Sequence, residues 1–414
     1  MTGRERILAS IEHREPDRVP VDLGSTPSSG ISVIAYNNLK QSLGIDSGRT
    51  LVYDVVQQLA EPEEKILDLF NIDVIDVGRA FNTNNEDWYE ITAADGSTAC
   101  YPSWFHPEQS DDGTWNAFDQ DGERIAQMPP GATFFDQTIF PWEDSYPNDF
   151  KGLPDAMNKV MWANLVHSPW DRSGSPDFWK DLRNNCIKLR EESDRALMIV
   201  CGCNLFEWGT FLRRIDNFLM DLFLEQDKVE SLLDALLEIH LETLAKVCES
   251  VGDVVDILRF GDDLGMDTGP FMPPDTYRQL FKPRHKILCD YVKKNSGMKT
   301  FLHSCGSIYR LLPDLIEAGY DVINPVQTNS AEMDPETLKR EFGKDITFWG
   351  GGADTRSVIN NMTAGEVKEH VKKRLEIFAP GGGFVFNTVH NIMPDVPAEN
   401  IIAMFEAVNE FNGG

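Results

Sequence analysis

Long apolar runs are missing from this chain of 414 residues, and so is any excess of positive charge. No stretch approaches the roughly 18 consecutive apolar residues of a membrane-spanning helix. The N-terminal "MTGRERILASIEHREPDRVPVD" scatters charges where a secretion signal has its apolar centre. Both absences lead to the expectation of a soluble, cytoplasmic protein with no membrane partner. Lys and Arg total 38 against 67 Asp and Glu, a formal net charge of −29. Such a surface repels polyanions, so no nucleic-acid partner is expected. Cysteine is sparse: the seven, at 100, 186, 201, 203, 248, 289 and 305, are odd in number and irregular in spacing. That excludes a disulfide framework and leaves each thiol a buried core residue unless its neighbours argue otherwise. Histidine is nearly as rare, at eight.

What is present is a rhythm. Short β-branched or apolar runs occur at 19–24, 73–78, 196–203, 254–263, 299–306, 321–327, 346–352 and 383–392, most of them closed by Gly, Asp, Asn or His. Between them lie segments with helical periodicity, such as "FWKDLRNNCIKLREE", "IDNFLMDLFLEQDKVESLLDALLEIHLETLAKVCESVG" and "PDTYRQLFKPRHKILCDYVKKN". Strand then helix, repeated eight times, predicts an α/β fold of the (β/α)8 TIM-barrel type over residues 1–414; a doubly wound open sheet is the alternative. Residues 82–150 break the rhythm with paired DG turns and four tryptophans, Trp88, Trp104, Trp115 and Trp142. They predict a small antiparallel β insertion after strand 2, a hairpin subdomain or lid. Its aromatics serve either as its own core or as a ligand wall.

In a barrel, the residues that close the strands converge on one mouth. Here they include Asp22, Asp76, Arg79, Cys201, Cys203, Asp262, Asp263, His303, Cys305, Asn324, Gln327, Asp354, His390 and Asn391. His303 and Cys305 stand at i and i+2 in "FLHSCGS". Side chains alternate along a strand, so imidazole and thiol point the same way and can reach one ion. His390 is the other histidine at a predicted strand end, and the "CGC" at 201–203 competes for the third position. Two histidines, one cysteine and an open position make a catalytic zinc site, since structural sites close with four ligands. Glu207 reads equally as a loop acid of the site or as a solvated residue.

From "RERILASIEHREPDRVPVD" through "FGDDLGMDTGPFMPPDTYRQLFKPRHK", "FLHSCGS" and "INPVQ" to "GGGFVFNTVHNIMPDVPAENI", the chain resembles the uroporphyrinogen decarboxylase superfamily. It looks closest to that superfamily's zinc-dependent corrinoid methyltransferases. The resemblance implies the same barrel. The decarboxylases carry an R-x-A-G-R loop that grips tetrapyrrole carboxylates, whereas "VDLGSTPSSG" has no arginine. A cofactor-independent decarboxylase is therefore the alternative reading. The methyltransferase branch binds zinc through H-x-C and a later cysteine; His303 and Cys305 match, and His390 stands in the later cysteine's place.

One thiolate and two neutral imidazoles leave a divalent ion with net positive charge, a stronger Lewis acid better suited to oxygen than to sulfur. The resemblance then implies a methyltransferase of the O-demethylase type, working on a small methoxylated compound in either direction. No D-x-H-x-x-G occurs in the chain, so the corrinoid is expected on a separate partner protein. Asp262, Asp263 and Gln327 are the expected supporting catalytic groups, with Asn324, Arg79, Glu207 and Asn391 expected against substrate. A homodimer, and a non-enzymatic module that docks a corrinoid protein, also fit the sequence.

Overall fold

The first predicted strand carries Pro20, which has no N–H to donate. In the computed structural model, which describes residues 1–413, this segment forms a single bridge, Val21 to Phe386. Its hydrogen bonds nevertheless run to both sides. Asp22 N donates to Phe386 O (2.9 Å), Phe386 N to Pro20 O (2.8 Å), and Asp73 N to Val21 O (2.9 Å). They tie together the two edges of a seven-stranded parallel sheet made of Val74–Asp76, Ala196–Gly202, Ile257–Gly261, Lys299–His303, Val322–Asn324, Thr347–Trp349 and Phe384–Val385. Neighbours in this sheet are neighbours in the chain, and helices separate them, which is a TIM-like α/β fold.

Side chains pointing inward from the strands form one apolar layer: Val74, Ala196, Met198, Ile257, Phe301, Val322, Trp349 and Val385. A helix not expected from periodicity, Gly3–Ile11, adds Ile7 and Ile11 to that layer from below. A capping box between Thr2 and Glu5 starts it, and the Ser10 hydroxyl donates to Phe384 O (2.6 Å). Its Arg6 meets Asp73 at 2.6 Å with both side chains buried.

Two long predicted helices are interrupted, each for a local reason. The segment from residue 215 divides into Ile215–Leu224 and Gln226–Val251 at Glu225, whose φ of −129° is not helical. That from residue 274 divides into Pro274–Leu280 and Lys282–Asn295, where Pro283 lacks the N–H that would continue the first helix. By contrast, Phe178–Glu192 spans the whole predicted segment. Among the described residues no helix is long and apolar enough to cross a membrane.

Between residues 82 and 150 lie two antiparallel sheets. Trp88–Thr92 pairs with Thr98–Pro102, and Glu108–Gln109, Trp115–Phe118, Arg124–Met128 and Asp136–Gln137 form a four-stranded meander. Tyr101, Phe105, Ile125 and Phe135 are buried there together with Val52, Val55 and Val56 from a preceding hairpin. Trp104 and Trp115 pack against this second core, while Trp142 packs against the barrel's.

Candidate metal centre

Alternation along Lys299–His303 sets the site. Phe301 belongs to the inner layer, so Leu302 faces the helices and His303 faces inward again, one step nearer the mouth. The chain then turns through Gly306, with φ +80°, where an added Cβ would lie 2.3 Å from the Gly265 backbone. Glycine alone permits that contact. Cys305 is thereby folded back so that its Sγ lies 3.4 Å from His303 Nε2. His390 arrives from the last barrel loop with φ +69°, a left-handed conformation unusual for a residue with a side chain. The ring centroids of His303 and His390 are 5.7 Å apart. One donor atom from each of His303, Cys305 and His390 lies within 4.8 Å of the other two.

Asn324, at the end of the next strand, sets the orientation of the first ligand. Its Nδ2 donates to Trp349 O (2.9 Å), which turns Oδ1 towards His303 Nδ1 (2.7 Å). The Ser28 hydroxyl donates to the same Oδ1 (2.7 Å). The Nδ1 of His303 must therefore carry the proton, leaving the Nε2 lone pair free on the side of Cys305. Burial also pushes the His303 pKa down to about 3, so the ring is neutral. Burial pushes the Cys305 thiol up; a cation would reverse that and hold it as thiolate. Two neutral imidazoles, a thiol and a nearby carboxylate are the donor types of a three-ligand zinc site, and the residues present fit that ion.

The other expected site residues divide. Asp263 joins the cluster: its Oδ1 accepts from Cys305 N (2.8 Å) and lies 3.6 Å from His303 Nε2. Gln327 braces the turn, accepting from Gly306 N at 2.7 Å. Asp262 does not join. It is fully buried, accepts from Phe206 N (3.0 Å) and Glu207 N (2.9 Å) at the start of helix Phe206–Arg213, and meets His285 at 3.1 Å. A carboxylate at a helix N-terminus is well placed there and faces away from the mouth. Asn324, expected against substrate, has both ends of its amide engaged within the protein. Arg79 donates to Pro62 O (2.8 Å) and lies 3.9 Å from both Glu61 and Glu64. Glu207 accepts from Asn204, and burial, then the charges of Asp263 and Asp262, push it up to about 8. Asn391 donates to Gln57 (2.9 Å), while its buried Oδ1 has no partner. It borders a cavity of about 680 Å³ between the barrel and the antiparallel sheets, whose lining contains no charged side chain.

Asp76, expected at a strand end, has its carboxyl raised to about 7 by burial and keeps one oxygen without a partner. The structure adds a residue that the strand ends do not mark. Arg259 projects inward from mid-strand, two residues after the inner-layer Ile257. An arginine inside the apolar run "VVDILRFG" was the available signal. Replacing Asn324 with alanine is expected to weaken zinc binding about 10–100-fold while leaving all three ligands in place. Competition with a chromophoric chelator measures this, and unchanged affinity would show that Asn324 does not orient the site.

Similarity to known proteins agrees with this fold. The sequence profile described as Uroporphyrinogen decarboxylase (URO-D) matches residues 205–411. The uroporphyrinogen decarboxylase of Acidiphilium cryptum is 24% identical over 180 residues, 41% of this chain and 48% of that protein. That of Methylococcus capsulatus is 44% identical over 101 residues, 24% and 27% of the two lengths. The aligned part thus spans about half, or less, of the curated relatives. Among solved structures, a methyltransferase from Methanosarcina mazei covers 99% of both chains with a TM-score of 0.58 at 17% identity, a likeness of fold.

Proposed function

The chain belongs to the uroporphyrinogen decarboxylase family, and from that premise we propose that it is a zinc-dependent methyltransferase. In this reading it moves a methyl group between a small methoxylated compound and the corrinoid of a separate protein. The observation that carries it is the convergence of His303, Cys305 and His390 within 4.8 Å, with Asp263 beside them. Zinc, when bound there, acts as a Lewis acid towards the ether oxygen. The chain's own residues do the rest. Asn324 and Gln327 hold the His303 and Cys305 donors in place. Glu207 is protonated at neutral pH and is the group we assign to give a proton to the departing oxygen. The apolar cavity beside Asn391 has the size and neutrality to hold the body of a small ring compound, and the sheets of residues 82–150 would serve as its lid.

The relatives' printed name favours a second reading, decarboxylation of a tetrapyrrole. Against it stands the segment 25–29. Ser25, Thr26, Ser28 and Ser29 are buried, the last three bonded among themselves and Ser28 to Asn324, and offer no cation to a polycarboxylate. The deciding experiment incubates the protein with a methoxylated aromatic and a reduced corrinoid protein, with and without a zinc chelator. Methylcobalt absorbance is expected to form, to vanish on chelation and to return with zinc. Tetrapyrrole turnover that persists after chelation would establish the second reading.

A further inference from the structure

Arg259 is a cation without an anion. It makes no salt bridge within 4.0 Å and no side-chain hydrogen bond among the described residues, and its Nε is buried with no partner. The residue as a whole is only partly buried, so Nε is shut off from water while the outer nitrogens of the fork stay accessible to a ligand. The fold makes room for it deliberately. Arg259 and Gly261 are i and i+2 on Ile257–Gly261 and so share the inward face. A Cβ at Gly261 would lie 3.1 Å from Arg259 Nη1 and 2.9 Å from Asn204 Nδ2. The missing side chain lets the guanidinium run along the wall towards the mouth.

The groups that act on it are Glu207, Asp263, Cys305 and Tyr53. Glu207 is already turned to Asn204, and Asp263 to Cys305 N. Tyr53 Oη is buried and also unpartnered. An arginine fork held in a water-poor mouth, beside a second idle donor, is complementary to a planar carboxylate. The Asp263 carboxylate close by would repel a dianion such as phosphate more strongly than a monoanion.

We propose that Arg259 is the specificity-determining residue of the mouth and binds the carboxylate of a monoanionic substrate. The choice of a methoxylated ligand rests on the methyl-transfer reading; the subsite itself does not.

Isothermal titration of the full chain, once dialysed against EDTA and once with zinc restored, tests this with 4-methoxybenzoate and 4-methoxybenzamide. The two share ring and methoxyl and differ in charge. The carboxylate is expected to bind about tenfold more tightly or better in both preparations. In Arg259→Gln the preference should disappear while the amide affinity changes less than about twofold. Arg259→Lys should keep part of it, having the charge without the fork.

Equal affinities in the parent overturn the proposal, as does a preference that survives in Arg259→Gln. So does a preference confined to the zinc-loaded form, tighter binding of inorganic phosphate, or no binding of the carboxylate. The parent and Arg259→Lys suffice if the glutamine variant fails to fold. Carboxylate preference without methyl transfer to a corrinoid protein would retire the methyl-transfer reading alone. Transfer without that preference would retire the subsite alone.

Discussion

Zinc content is expected to fall from about one per chain to near zero in each of His303→Ala, Cys305→Ala and His390→Ala, and methyl transfer to fall about 10³-fold or more. His303, Cys305 and His390 are the three convergent ligands, and losing one leaves two, too few for a stable site. A thousandfold loss corresponds to about 4 kcal/mol of barrier, within the several kcal/mol a Lewis acid supplies. His390 allows a sharper form of the experiment. Its backbone has φ +69°, where a side chain costs about 1 kcal/mol or more and glycine costs little. His390→Gly should therefore be at least as stable as the parent while losing the metal. Elemental analysis beside urea denaturation reads both. Near-stoichiometric zinc in either His390 variant would remove it from the ligand set and with it the proposed chemistry.

The largest effect on stability is expected at Trp349. It is fully buried in the inner layer, edge-on to Phe301 at 5.3 Å between ring centroids, and its Nε1 donates to Asp22 Oδ2 at 2.8 Å. Trp349→Ala should cost about 3–5 kcal/mol in denaturant unfolding, and a loss below about 1.5 kcal/mol would mean that the layer can collapse around the gap. Trp349→Phe isolates the polar part. Burial raises the Asp22 carboxyl to about 6, against its hydrogen bonds, so the folded state holds this proton more tightly than the unfolded chain. Its contribution is fully present below about pH 4 and is lost as pH rises through about 6. Without the indole donor the folded pKa climbs further, so the phenylalanine variant should lose more stability at pH 8 than at pH 4. Equal losses at both would show that Asp22 does not depend on the indole.

That His303, Cys305 and His390 meet could be read from the sequence because each follows from position on a strand end, and a parallel barrel sends every strand end to one place. Asp263 followed for the same reason. Asp262, one residue earlier, was placed wrongly because alternation sends adjacent side chains to opposite faces; only one of the pair could reach the mouth. Asn324 was placed correctly in space and wrongly in use, since neither a Trp349 carbonyl nor a Ser28 hydroxyl, 25 and 296 residues away along the chain, is signalled locally. Arg259 escaped because strand ends, not strand interiors, were the guide. Of the fold, the order of strands and helices was legible from periodicity. The break at Phe281 was signalled by Pro283 and went unread, whereas the packing of residues 52–56 against the antiparallel sheets depends on tertiary contacts that a linear pattern does not carry.

Helix Gly3–Ile11 seals the lower end of the barrel with Ile7 and Ile11. The interior is thus a blind well, and traffic through it is one-way-in, same-way-out. Whatever small molecule reaches the metal donors must enter through the opening where any second protein would present its own reactive group, and must leave through it as well. Under the proposed reading, the two visitors would compete for a doorway without competing for a site. The small compound would have to be seated before the larger partner settled, and the partner would have to withdraw before the product could go.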